Sequence, residues 1–247
     1  MRIAAEIADL RRGPAADQPL DTQALHGETI VVFEEAGDWA WAQLDQDRYV
    51  GWIERSSLAD PGPDPTHRVR APRTFLYEEP SIKAPRFTGL PMGANLQASR
   101  TQGLFTEIEA GGFVFSAHLR DIHEHERDFV AVAERFLNAP YLWGGKSWLG
   151  VDCSGLVQIA LRQANLEAPR DTDMMMAELG VPLPLDRADL RRGDLVFWRG
   201  HVAIMQNAET LLHANATHMQ VASEPLRQAA ARIAQAGSGE ICAIRRL

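Results

Sequence analysis

Between Tyr141 and Gln158 the chain reads YLWGGKSWLGVDCSGLVQ, a glycine-rich loop that runs into a helix with a cysteine at its head. From Cys153 onward the small or apolar residues fall at 153, 156, 157, 160, 161 and 164. That is the i, i+3, i+4, i+7 stripe of a helix buried along one face. Asp152 stands where an N-cap belongs, and Gly144, Gly145 and Gly150 let the backbone approach closely before the helix begins. A thiol is a useful nucleophile only as thiolate, and the free N–H groups and dipole of a first helical turn favour that form. Cys153 is therefore read as a catalytic nucleophile rather than the buried structural cysteine that most free cysteines are.

Such a nucleophile needs a base. Forty-eight residues on, in RRGDLVFWRGHVAIMQN, Asp194 to Trp198 reads as a strand, Arg199-Gly200 as a tight connection and 201–205 as the next strand. His201 heads that second strand, and an imidazole there can hold the thiol proton. Twelve residues further, His213 ends another short apolar run and could fix the ring and tautomer of His201. His218 is close by and equally available for that role.

These residues carry a family resemblance. The elements YLWGG, DCSGLV, GDLVFW, HVAIM and LLHAN follow in the order and at the spacing found in the NlpC-type cell-wall cysteine peptidases, a papain-like group. The chain resembles that family over 122–247, with Trp198, Ala203 and Met205 as departures that remove no chemical group the mechanism needs. The resemblance implies catalytic roles for Cys153, His201 and His213. It also implies cleavage of the bond between γ-D-glutamate and meso-diaminopimelate or lysine in peptidoglycan stem peptides, with no cofactor or metal.

The first 121 residues differ in kind. They hold short β-rich runs with frequent turn signals and no long helical stripe. The series Leu25-His26-Gly27-Glu28, Trp39 to Ala42 and Tyr49 to Ile53 resembles bacterial SH3-like barrels, and Asp60 to Pro65 marks a linker. A second run from Val69 to Asp121 repeats the theme more divergently. The expected architecture is α+β: barrels over 1–60 and 66–121, then the papain-like peptidase domain over 122–247, opened by a linker helix at about 122–138. His123 and His125 near its start read as a solvated helix end, not as metal ligands.

Some members of the resembled family use the first barrel to hold the free amine of an N-terminal L-alanine, on muropeptides already stripped of sugar. The counterparts here are Glu28, Tyr49, Trp143 and Asp152. A buried ammonium must be paired, and Glu28 with Asp152 could supply two carboxylates. Each of the four also has a plainer reading: exposed turn, barrel core, core aromatic or helix cap. Ser154, just after Cys153, is a further candidate to hydrogen-bond substrate. The backbone N–H of Cys153 is the expected oxyanion donor.

Composition fits a soluble globular protein of one to three domains, with 247 residues, 45% hydrophobic and 23% charged. A net charge of −8 and the lack of a basic run argue against nucleic acid as a partner. Only two cysteines are present, and Cys242 in EICAIRRL reads as part of a buried strand rather than as a disulfide partner. No apolar run reaches membrane-spanning length, and MRIAAEIADLRRG does not read as a signal peptide, so the expected location is cytoplasmic. The competing readings are a peptidoglycan-binding module without turnover, and an amidase or acyltransferase on the same fold. Oligomeric state is not legible.

Overall fold

A computed structural model describes residues 1–185 and 189–247. It divides into two compact units, Met1–His125 with Lys146–Trp148, and Glu126–Gly145 with Leu149–Leu247.

The first unit holds two cores. In the first, the antiparallel strands run in the order Leu20–Leu25, Ile7–Arg11, Val50–Glu54, Trp39–Leu44 and Ile30–Ala36, and Arg2–Ile3 pairs separately with Leu58–Ala59. Alternation puts Ala8, Leu10, Ala40, Ala42, Leu44 and Ile53 into the core. On another face Trp41 and Trp52 lie directly opposite, ring centroids 5.7 Å apart. The second core has a five-stranded sheet in the order Arg86–Pro91, Arg73–Tyr77, Phe113–Phe115, Phe105–Ile108, Ala98–Gln102. A three-stranded sheet of Asn95–Leu96, His67–Val69 and Leu119–Asp121 lies beside it.

The SH3-like fold expected of the N-terminal segment is present and residues 67–121 form a second small β core, but in neither do the hydrogen-bonded ladders close into a barrel. Register shifts at Val32/Glu34, Arg86/Thr88 and Ala98/Thr101 bend the outer strands, and a small second sheet covers each core in place of a closing ladder. Residues 60–66 form no regular element. Within this unit Arg73 donates twice to Glu6 (2.9 and 3.0 Å). Gly27, at φ +78°, admits the Asn95 carbonyl where a Cβ would lie only 2.0 Å from it.

In the second unit an antiparallel sheet runs in the order Val181–Pro182, Ala243–Arg246, Leu195–Trp198, His201–Met205, Thr210–Asn215, Gln220–Pro225. Helices α1 (Phe129–Glu134), α2 (Cys153–Gln163), α3 (Thr172–Glu178) and α4 (Leu226–Ile233) complete it. The expected long helix over 122–138 shrinks to α1. Asp128 caps it by accepting from the Val130 and Ala131 N–H groups, and Asn138, at φ +69°, lies beyond its end. Every residue of α2 is buried. Ala229 and Ile233 of α4 pack with Val196, Trp198, Ala203, Met205 and Leu211 of the sheet. Cys242 corrects the sequence reading: it is exposed and sits one residue before the strand, whose inward position is Ile244. Its Sγ lies 3.4 Å from the Phe197 carbonyl oxygen, and both cysteines are free thiols.

Candidate active site

Cys153 is the first residue of α2, and Asp152 caps the helix. The Asp152 carboxylate is saturated. Oδ1 accepts from the Gly155 N–H (2.7 Å) and the Ser154 hydroxyl (3.3 Å), and Oδ2 accepts from the Gly144 N–H (2.8 Å) and Arg170 (2.6 Å). Arg170 is buried and also donates to Ser154 Oγ at 2.6 Å. Asp152 and Ser154, both read from sequence as substrate ligands, are thus engaged in building the start of α2. The N–H of Cys153 lies in the first turn, where a helix has no acceptor of its own for it.

The Cys153 thiol meets the backbone N–H of Val202, the residue after His201. This places the head of α2 against the strand His201–Met205. In the register Ile204↔Leu212, His201 and His213 both fall on the face opposite that pair. The pairing His213↔Ala222 brings Glu224, two residues on, to the same face. The side chains connect accordingly. His201 Nε2 lies 2.8 Å from His213 Nδ1, and His213 Nε2 lies 2.7 Å from Glu224 Oε1, which also receives Arg232. His218, the other candidate for the third position, is bound instead to Asn215 Oδ1. Trp198, opposite His201 in the hairpin, sets its ring 5.7 Å from the imidazole.

The charge state of this centre differs from the sequence expectation. Burial first, and then the Asp152 carboxylate, push the Cys153 thiol up to about 12, against the opposing pull of the Val202 N–H, Arg170 and the Ser154 N–H. A helix start alone favours thiolate, but in a dry site beside a carboxylate it does not prevail. Burial, then His213 and Arg232, bring His201 down to about 3, and burial, then Arg232 and His218, do the same to His213. The resting pair is a neutral thiol and a neutral imidazole. Tyr141 is raised to about 12 by burial and by the charges of Cys153 and Asp152, so its phenol keeps its proton.

The remaining candidates have these surroundings, each within its own unit. Trp143 is 65% exposed in the loop before α2, not a core aromatic. Glu28, in the first unit, is buried rather than an exposed turn residue. It accepts from the Leu25 N–H at 2.9 Å and faces Lys146 Nζ at 4.0 Å, with Asp47 3.8 Å from the same ammonium. Tyr49, half-buried in that unit, donates its N–H to Asp47 Oδ1 at 3.1 Å. Among the described residues, Tyr141, Arg170, Glu224 and Arg232 are site residues that motif reading did not single out. Strand parity could have found Glu224 once the His213↔Ala222 pairing was known, whereas Arg170, in a loop with no periodicity, carried no local signal.

Two family patterns match this chain: the bacterial dipeptidyl-peptidase SH3 domain over residues 10–58, and the NlpC/P60 family over 138–236. Residues 138–236 form an NlpC/P60 domain. The chain is a cysteine-type peptidase by that domain. A γ-D-glutamyl-L-lysine dipeptidyl-peptidase of Bacillus subtilis is 29% identical, covering 96% of this chain and 84% of the relative. Dipeptidyl-peptidase 6 of Lysinibacillus sphaericus is 27% identical over 86% of each chain. A solved NlpC/P60 family protein from Bacillus cereus shares the fold, with a TM-score of 0.81 at 21% identity, over 99% of this chain and 98% of that one. The NlpC/P60 pattern spans α2, the two histidine strands and Glu224, so the hydrogen-bonded chain lies wholly inside the matched stretch.

Proposed function

We propose that this NlpC/P60 protein hydrolyses the γ-D-glutamyl–diamino acid bond of peptidoglycan-derived peptides, the third residue being lysine or meso-diaminopimelate. The observation that carries this reading is the Cys153 thiol at the head of α2, beside the strand whose His201 is hydrogen-bonded to His213. The names of the relatives supply the bond. His201 commits Nε2 to His213, so Nδ1 is the nitrogen that takes the thiol proton. As the proton moves, Sγ attacks the γ-carbonyl carbon, and the carbonyl electrons collect on an oxygen held by the Cys153 N–H and the Tyr141 hydroxyl. Collapse of the tetrahedral species breaks the C–N bond, and His201 returns its proton to the departing amine. Water then attacks the thioester with His201 as base, and the thiolate leaves.

The substrates proposed are short peptides with a free N-terminal L-alanine, as produced when muropeptides are recycled. Trp143, exposed in the loop before α2, is the residue of this unit proposed to meet that peptide, with Asp152 and Ser154 shaping the start of α2. Mass-spectrometric turnover of L-Ala-γ-D-Glu-L-Lys and its diaminopimelate analogue, each free and N-acetylated, tests both parts. Cleavage lost in Cys153→Ala is expected, and only the free-amine peptides should turn over. Equal cleavage of the acetylated peptides would keep the nucleophile and remove the amine requirement. No cleavage by the wild type would overturn the reading.

A further inference from the structure

The hydrogen-bonded chain does not end at the second histidine, and what lies behind it decides which nitrogens carry protons. Glu224 Oε1 stands 2.7 Å from His213 Nε2. The same oxygen receives Arg232, whose other terminal nitrogen is held by Thr217 Oγ1 at 2.8 Å. A carboxylate paired with guanidinium offers only acceptors, so His213 Nε2 must be the donor. A neutral imidazole protonated at Nε2 has a bare Nδ1, which can only accept. The partner of that Nδ1 is His201 Nε2 at 2.8 Å, which must therefore carry a hydrogen. His201 is then bare at Nδ1. One carboxylate, two rings and three acceptors leave a single consistent assignment.

We propose that Glu224 is a positioning residue that sets the tautomers of His213 and His201, and so keeps His201 Nδ1 free to receive the thiol proton. The inference rests on the peptidase reading above for its kinetic consequence, while its structural content concerns the two rings alone. Without the carboxylate, His213 can turn over to its Nδ1–H tautomer and donate to His201 Nε2. His201 must then hold its hydrogen on Nδ1, where it cannot act as base. Arg232 is the counter-charge that keeps the Glu224 acceptor in place. His213, His218 and Glu224 also bring ligand atoms within 4.8 Å of one another. The guanidinium on Glu224 already supplies the positive charge a metal ion would bring, and the structure assigns the cluster to tautomer control.

The test uses the full chain labelled with ¹⁵N-histidine, where imidazole nitrogen shifts and couplings distinguish the tautomers. In the wild type His201 and His213 should both appear protonated at Nε2. Glu224→Ala should populate the Nδ1–H form of His213 and lower kcat by about 10–100-fold, with KM within about twofold, on the scale seen when the hydrogen-bond partner of a metal-bound histidine is removed. Glu224→Gln, which still offers an oxygen acceptor, should restore the Nε2–H tautomer and most of the rate. If Glu224→Ala does not fold, Glu224→Met keeps side-chain length without an acceptor and is read the same way. Unchanged tautomers, or an unchanged kcat in the acceptor-free variant, would overturn the proposal. Absence of turnover in the wild type would defeat the peptidase reading instead, and the tautomers would still decide the role of Glu224.

Discussion

Arg170→Met removes the buried guanidinium that closes the network at the head of α2. Arg170 makes two charge-assisted hydrogen bonds of 2.6 Å, to Asp152 and Ser154, and the two ion-pair side chains are 2% and 9% exposed. Such bonds contribute about 1.5–3 kcal/mol each, and breaking a buried pair by removing one partner costs about 3–5 kcal/mol. Asp152 keeps the Gly144 and Gly155 N–H groups and the Ser154 hydroxyl, which points to the lower end, about 3 kcal/mol. With a urea slope of about 1–3 kcal/mol/M this moves the midpoint down by roughly 1–3 M. The assay is alkylation of buried Cys153 along a urea titration, read by mass spectrometry against exposed Cys242 as an internal reference. Asp152→Asn should be destabilising as well, by stranding the arginine, and the double variant should recover part of the loss because neither charge is left unpaired. A midpoint for Arg170→Met within experimental error of wild type, or a double variant no better than the singles, would refute the reasoning.

Tyr141→Phe removes a hydroxyl held protonated, and kcat should fall by about 10²–10³-fold as for loss of one oxyanion donor; a change of under threefold would remove Tyr141 from that role. Because burial and the neighbouring cation lower His201, the base stays neutral to lower pH than a free histidine. The acid limb of kcat/KM should therefore lie below the ordinary pKa of about 6.5, and a limb at or above that value in a pH series would contradict the buried neutral pair. Gly155→Ala would set a Cβ 2.2 Å from the Gly145 carbonyl oxygen, so the glycine loop has to move away from α2. Overpacking of that kind costs about 1–3 kcal/mol, with loss of turnover, measured by urea midpoint and kinetics together. Acylation should show a normal solvent isotope effect, since a neutral thiol must lose its proton during attack; an effect near unity would mean a preformed thiolate.

The sequence was most informative where chemistry and periodicity coincide. The stripe from Cys153, the cap at Asp152 and the alternation of the two strands joined at Arg199-Gly200 gave the elements and the polar residues they carry. Two kinds of feature escaped. Helix length failed at 122–138, because apolar spacing at 129, 132, 133, 136 and 137 describes a face but not where the backbone stops following it. Asp128 and Asn138 mark the limits instead. Contacts between distant segments failed for the same reason that Arg170 was missed: an arginine in a loop meets its carboxylate eighteen residues earlier in the chain only after folding. For Glu28, read as a substrate ligand with an exposed turn as the plainer alternative, neither reading included Lys146, which meets it from more than a hundred residues away.

Charge placement ties these omissions together. Helix-start reasoning treats Cys153 as a lone thiol at a dipole and arrives at a thiolate. The folded site buries that thiol beside a saturated carboxylate, and it leaves the His201 imidazole neutral. In the proposed mechanism an anion made in advance would be repelled by Asp152, whereas an anion made during attack would pass its charge at once to the substrate oxygen, toward the Cys153 N–H and Tyr141. The positive charge that appears on His201 at the same moment lies at one end of a chain whose other end is Glu224. On that mechanism both new charges are met by groups that are in place before the proton moves, and the resting site holds neither.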